Sequence, residues 1–130
     1  MEQERNFDFR EHMKMRTKDF ALRVIRMCRA LPSTDEAQII KRQILRSATS
    51  VGANYRAACR ARSNAEFFSK ISIVIEEADE TLFWLEVLQE TGIFKPELLE
   101  TLYKENEEIL KIMVSARSKS KRIAENQPVG

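Results

Sequence analysis

Six basic residues fall close together: Lys41, Arg42, Arg46, Arg56, Arg60 and Arg62. Arg42, Arg46, Arg56 and Arg60 sit at offsets 0, 4, 14 and 18. Eighteen residues make five helical turns, so on a helix all four leave from one face. Guanidinium forks grip anionic oxygens bidentately, which suits such a stripe to phosphate. Only Tyr55 stands near enough to stack on a base. The stripe therefore fits tracking of a nucleic-acid backbone better than reading of bases. Its other use is ion pairing, and an acidic run is available in Glu76, Glu77, Asp79 and Glu80. Glu76 and Glu80 are i, i+4 neighbours and share a stripe of their own. The commonest fate of these carboxylates is a solvated or salt-bridged face. Contact with a basic helix of another subunit and a divalent-cation site are the other readings.

Other chemistry is poorly served. Paired carboxylates do acid–base work only where their environments split their pKa values. The one histidine, His12, has Phe9 three residues before it, so it cannot supply the two Glu-x-x-His motifs of a di-iron bundle. No metal or other cofactor is expected, and no catalytic residue is assigned. Cys28 and Cys59 lack any Cys-x-x-Cys spacing and read as small buried apolar groups in a reducing compartment. Between the arginines lies Ser47-Ala48-Thr49-Ser50-Val51-Gly52-Ala53-Asn54, nearly all small or hydroxylated. A helical Gly costs about 1 kcal/mol relative to Ala. Close approach of another helix at Gly52 would account for it; a ligand niche using Ser50, Asn54 or the gap at Gly52 is the alternative. No glycine-rich phosphate loop precedes the segment. Basic residues at 117, 119, 121 and 122 suit a solvated helix end and could extend an electrostatic footprint.

The elements that must carry these groups are helices. The chain has 130 residues, 43% of them apolar, with only three Gly and three Pro. One domain with a real core is expected, and an all-β fold, which needs frequent turns, is excluded. Four periodic stretches can be read. Phe9, Met13, Phe20, Val24, Met27 and Leu31 define a helix from about Arg10 to Leu31, stopped by Pro32. Ser33 with Glu36 forms a capping-box pattern for a second helix to about Ala61, striped by Ile40, Ile44, Ala48, Val51, Tyr55 and Ala58. Ser63 with Glu66 caps a third, from Asn64 to Thr91. Phe67, Ile71, Val74, Ala78, Leu82, Leu85 and Leu88 line it, and Phe68, Ile75 and Trp84 widen its apolar face beyond the need of one seam. Gly92 ends it, and Pro96 opens a fourth helix to about Arg122 with a seam of Leu99, Leu102, Asn106, Ile109, Met113 and Ala116. Asn106 in that seam reads as a register-fixing residue. Short loops make the helices antiparallel neighbours, an all-α up-and-down four-helix bundle over residues 9–123. Residues 1–8 are expected to be a flexible N-terminus and residues 124–130 a disordered tail.

Net charge is +2 but unevenly spread: +3 over residues 1–31, +4 over 32–63, −6 over 64–94 and +1 over 95–130. Either the oppositely charged segments pair with each other, or the basic half faces a polyanion. No apolar run could span a membrane, and the charged start MEQERNFDF lacks a signal-peptide core, so a cytoplasmic location is expected.

The stretch Gln43-Ile44-Leu45-Arg46-Ser47-Ala48-Thr49-Ser50-Val51-Gly52-Ala53-Asn54-Tyr55-Arg56-Ala57-Ala58 carries a resemblance. So do Arg60-Ala61-Arg62-Ser63-Asn64-Ala65-Glu66-Phe67, Glu76-Glu77-Ala78-Asp79-Glu80 and Phe83-Trp84-Leu85-Glu86. Over about residues 15–117 the chain resembles the bacterial four-helix-bundle family that includes proteins encoded in intervening sequences of 23S ribosomal RNA genes. The resemblance implies a left-handed up-and-down bundle, assembly into a homopentamer with a central channel, and no enzymatic activity. A related protein, the accessory variability protein of diversity-generating retroelements, is a basic pentamer that binds nucleic acid and a reverse transcriptase. The basic stripe itself supplies the candidate nucleic-acid contacts, Arg42, Arg46, Arg56, Arg60 and Arg62 with Lys41 in support. The rival expectation is an oligomeric protein-interaction scaffold, in which Glu76, Glu77, Asp79 and Glu80 take up the arginines across subunits and no nucleic acid binds.

Overall fold

The computed structural model describes residues 1–126, with four helices: α1 (Glu2–Arg29), α2 (Asp35–Cys59), α3 (Asn64–Thr91) and α4 (Pro96–Glu125). Each helix packs on its neighbours in sequence, and α4 closes the square lightly against α1. This is the up-and-down four-helix bundle expected from the short loops. Among the described residues no helix is long and apolar enough to cross a membrane.

Most helix ends follow local signals. The backbone N–H groups of Ala30 and Leu31 tighten the last turn of α1 by donating to Met27 and Cys28 carbonyls, and Pro32 follows. Ser63 caps α3, its Oγ accepting from the Glu66 N–H at 3.1 Å. Gly92 ends α3 in the left-handed region, with φ of 69°. Pro96 is the first residue of α4, where its missing N–H costs nothing.

Four boundaries differ from expectation. The cap of α2 is Thr34, not Ser33; its Oγ1 accepts from the Ala37 N–H at 3.3 Å. Either hydroxyl could cap, and the chain enters the helix one residue later than the Ser33–Glu36 pair suggests. Helix α2 ends at Cys59 and Arg60 caps it, two residues short of Ala61. Helix α1 begins at Glu2, so residues assigned to a flexible N-terminus are helical; no breaker occurs there, and Glu2 and Glu4 complement the positive end of the dipole. Likewise α4 runs through Glu125 into the expected tail, there being no Gly or Pro between Pro96 and Pro128. The rest of that tail, residues 127–130, lies outside the described residues.

The core is the four predicted stripes brought together. Phe20, Val24, Ile44, Val51, Ile71, Val74, Leu85, Leu88, Leu99, Ile109 and Met113 are fully buried. Phe9 is a correction: it is 44% exposed, because α1 overhangs the bundle there and every residue from its start at Glu2 through Phe9 is exposed. Thr17, which no apolar pattern includes, fills the stripe between Met13 and Phe20. Thr17, Ser47, Thr81 and Asn106 are all fully buried, one from each helix. Thr17 donates to the Met13 carbonyl at 2.8 Å. The Ser47 and Thr81 hydroxyls share a hydrogen bond of 2.9 Å between α2 and α3. Asn106 Nδ2 donates across to the Ala78 carbonyl at 2.8 Å, while its Oδ1 has no partner. The Ser47–Thr81 and Asn106–Ala78 bonds cross between helices and are satisfied only when those helices keep their axial register, the role expected of Asn106.

Candidate nucleic-acid interface

The buried stripe of α2 turns Arg42, Arg46, Arg56 and Arg60 away from the core, and all four are exposed. Their fates then diverge. Arg46 reaches α3, where its Nη1 donates to Glu77 Oε2 at 3.2 Å and its Nη2 to Glu80 Oε2. The Glu80 hydrogen bond, with both carboxylate charges, raises the Arg46 pKa further above its ordinary value. Arg62 is engaged by Glu66 at 3.4 Å, one turn away. Arg42, Arg56 and Arg60 have no carboxylate within 4.0 Å among the described residues. Lys41 is half-buried and sits near Cys28, where its charge opposes the burial that pushes the thiol up to about 11. Of the acidic run, Glu77 and Glu80 thus meet the stripe within one chain. Glu76 and Asp79 are exposed and meet no cation among the described residues.

Helix α1 enlarges the basic surface beyond the residues singled out from sequence. Thr17 and Cys28 mark its flank toward α2: Thr17 abuts Gly52, and Cys28 lies near Lys41. Lys18 and Arg29 each follow by one residue and are exposed on the solvent side of α1. Arg16 was outside every candidate set. It is held on α4, donating through Nε and Nη2 to both Glu105 oxygens at 2.8 Å and through Nη2 to Glu108 at 3.0 Å. The Glu105 hydrogen bond is the main cause of its raised pKa. The i, i+3 pair of glutamates is a visible signal, but nothing local marks Arg16 as its partner.

The small-residue segment resolves as a helix crossing. A Cβ placed on Gly52 would lie 3.4 Å from Thr17 Oγ1 and 3.5 Å from the Thr17 backbone. Ser50 donates to the Arg46 carbonyl and Asn54 to the Ser50 carbonyl, so both turn back on their own helix. No group of three His, Cys, Asp or Glu side chains comes together among the described residues.

What this geometry defines is a short-looped four-helix bundle with a basic α1–α2 face and an acidic α3. The model of the 23S rRNA-intervening sequence protein family matches residues 11–115, and the chain belongs to that family. Among solved structures it is similar to a protein of unknown function from the S23 ribosomal protein family of Bacteroides thetaiotaomicron. The two are 36% identical with a TM-score of 0.75, over 81% of this chain and 97% of that one. No curated protein matches.

Proposed function

We propose that the protein is a non-enzymatic, cytoplasmic homo-oligomer, a pentamer by family resemblance, that binds structured RNA or DNA through the outer face of α2. One observation carries this reading: Arg42, Arg56 and Arg60 stand exposed on one helix face with no carboxylate to satisfy them. Over eighteen residues they span roughly 27 Å, enough to follow several phosphates. Exposed Lys18 and Arg29 add positive charge on the neighbouring helix α1. Support for assembly comes from α3, where Ile73 and Phe83 are 41% and 51% exposed beside Glu76 and Asp79.

A second reading is the interaction scaffold, and the engagement of Arg46 by Glu77 and Glu80 favours it, since α3 already draws on the stripe. One mutant set separates the two. The triple variant Arg42→Ala/Arg56→Ala/Arg60→Ala should lose at least about tenfold in affinity for a labelled structured RNA or duplex DNA. Its mass by light scattering should not change. Arg46→Ala should bind nearly as wild type, because that guanidinium is already neutralised. If the triple variant instead dissociates and neither form binds nucleic acid, the scaffold reading holds.

A further inference from the structure

Where α1 overhangs, the bundle end opens into a cleft of about 640 Å³ between the first turns of α1 and the last turns of α4. Its walls come from all four helices because the antiparallel order brings the start of α1, the end of α2, the start of α3 and the end of α4 to one end. Three lining residues are cationic: Arg5 and Arg10 on α1 and Lys119 on α4. None of the lining residues is acidic among the described residues, although the chain has twenty acidic groups. Phe9 and Phe67 supply aromatic surface, Phe9 being 44% exposed. Asn64 also lines the cleft; its Oδ1 accepts from the buried Ser120 hydroxyl at 3.2 Å, which fixes the amide and leaves Nδ2 without an acceptor among the described residues.

We propose that this cleft binds a nucleoside phosphate, with the base against Phe9 and Phe67 and the phosphate between Arg5, Arg10 and Lys119. Charge selects an anion, since cations stand on both walls. The aromatic rings and fixed amide select what the anion carries. A planar heterocycle stacks on rings and hydrogen-bonds an amide, each base having a π-face. A fatty acyl chain would leave Asn64 and the polar rim desolvated with nothing in return. The volume lies within the usual range for small-ligand sites. The ligand is either a free mononucleotide or an unpaired nucleotide of a strand. The site shares no residue with the outer face of α2, so it stands or falls apart from the function proposed above.

The test is titration of methylanthraniloyl-labelled AMP into the full chain at low salt, read by its fluorescence. Saturable binding is expected. Arg10→Ala/Lys119→Ala should weaken it about tenfold or more, as expected for loss of two charged contacts. Phe9→Ala, which removes an exposed ring, should weaken it while leaving the circular dichroism unchanged. Arg42→Ala/Arg60→Ala should leave it unaltered. Displacement by unlabelled AMP as readily as by a 5′-phosphorylated single-stranded hexamer identifies a free nucleotide; preference for the hexamer identifies a strand. Absence of saturation up to about 1 mM would overturn the proposal. So would equal loss in the α2 variant, or binding of laurate where the labelled AMP does not bind.

Discussion

Arg42 and Arg46 occupy equivalent places in the α2 pattern, four residues apart, yet one is open and the other holds two carboxylates. The offset of four turns Arg46 about 40° toward α3, which is enough to bring Glu77 and Glu80 within reach. Spacing alone puts the four arginines on one face. It does not say which lies on the flank that meets α3, and so the choice between pairing within and between chains was closed to sequence reasoning. Asn106 was legible as a polar seam residue, but its unpartnered Oδ1 was not. That orphan makes a prediction: Asn106→Leu removes both a hydrogen bond and an unsatisfied buried acceptor, so urea denaturation should find stability unchanged or raised by about 1 kcal/mol. A loss above about 2 kcal/mol would contradict this and mean that the bond to the Ala78 carbonyl outweighs the orphaned acceptor. Cys28 supplies a pH dependence. Burial raises its pKa from 9.0 to about 11, so the folded state holds the thiol proton longer than the unfolded chain does. The stability this contributes is whole below pH 9 and is lost as pH rises toward 11. Denaturation midpoints measured across that interval should fall less in Cys28→Ala than in wild type.

At the scale of the helix, punctuation was readable where a residue has a single physical use. Pro32, Ser63, Gly92 and Pro96 all act as their chemistry requires. Ends without such residues were misplaced, the start of α1 and the finish of α4 above all, because a helix continues until something stops it. The two described glycines have opposite uses, and substitution to Ala separates them. At Gly52 the added methyl reaches only ordinary contact with Thr17, and a helical Ala is better than Gly by about 1 kcal/mol, so Gly52→Ala should raise the thermal midpoint. At Gly92 the space is open but φ is 69°, so Gly92→Ala should cost about 1 kcal/mol and lower it. If Gly52→Ala destabilises, the α1–α2 crossing is tighter than the Thr17 distances indicate.

Over the whole molecule, charge is sorted by helix. The +7 of residues 1–63 faces outward mainly from α1 and α2, and only part of it is spent on α3 and α4 through Arg46 and Arg16. That partition was legible as a segment tally. Its spatial consequence was not, since it depends on which flank each helix presents. The bundle-end cleft was wholly invisible to sequence, being assembled from four elements with lining residues spread from Arg5 to Ile123. If the proposed function holds, three unpaired arginines on one helix face act together on a polyanion, each neutralised phosphate releasing counterions. The most direct test is fluorescence anisotropy of a labelled duplex DNA and a structured RNA titrated with the protein over a range of salt concentrations. Contacts from Arg42, Arg56 and Arg60 predict a log–log slope of about −3 per bound subunit or steeper on duplex DNA. Absence of binding at low salt, or binding whose affinity does not change with salt, would contradict a phosphate-tracking role for α2.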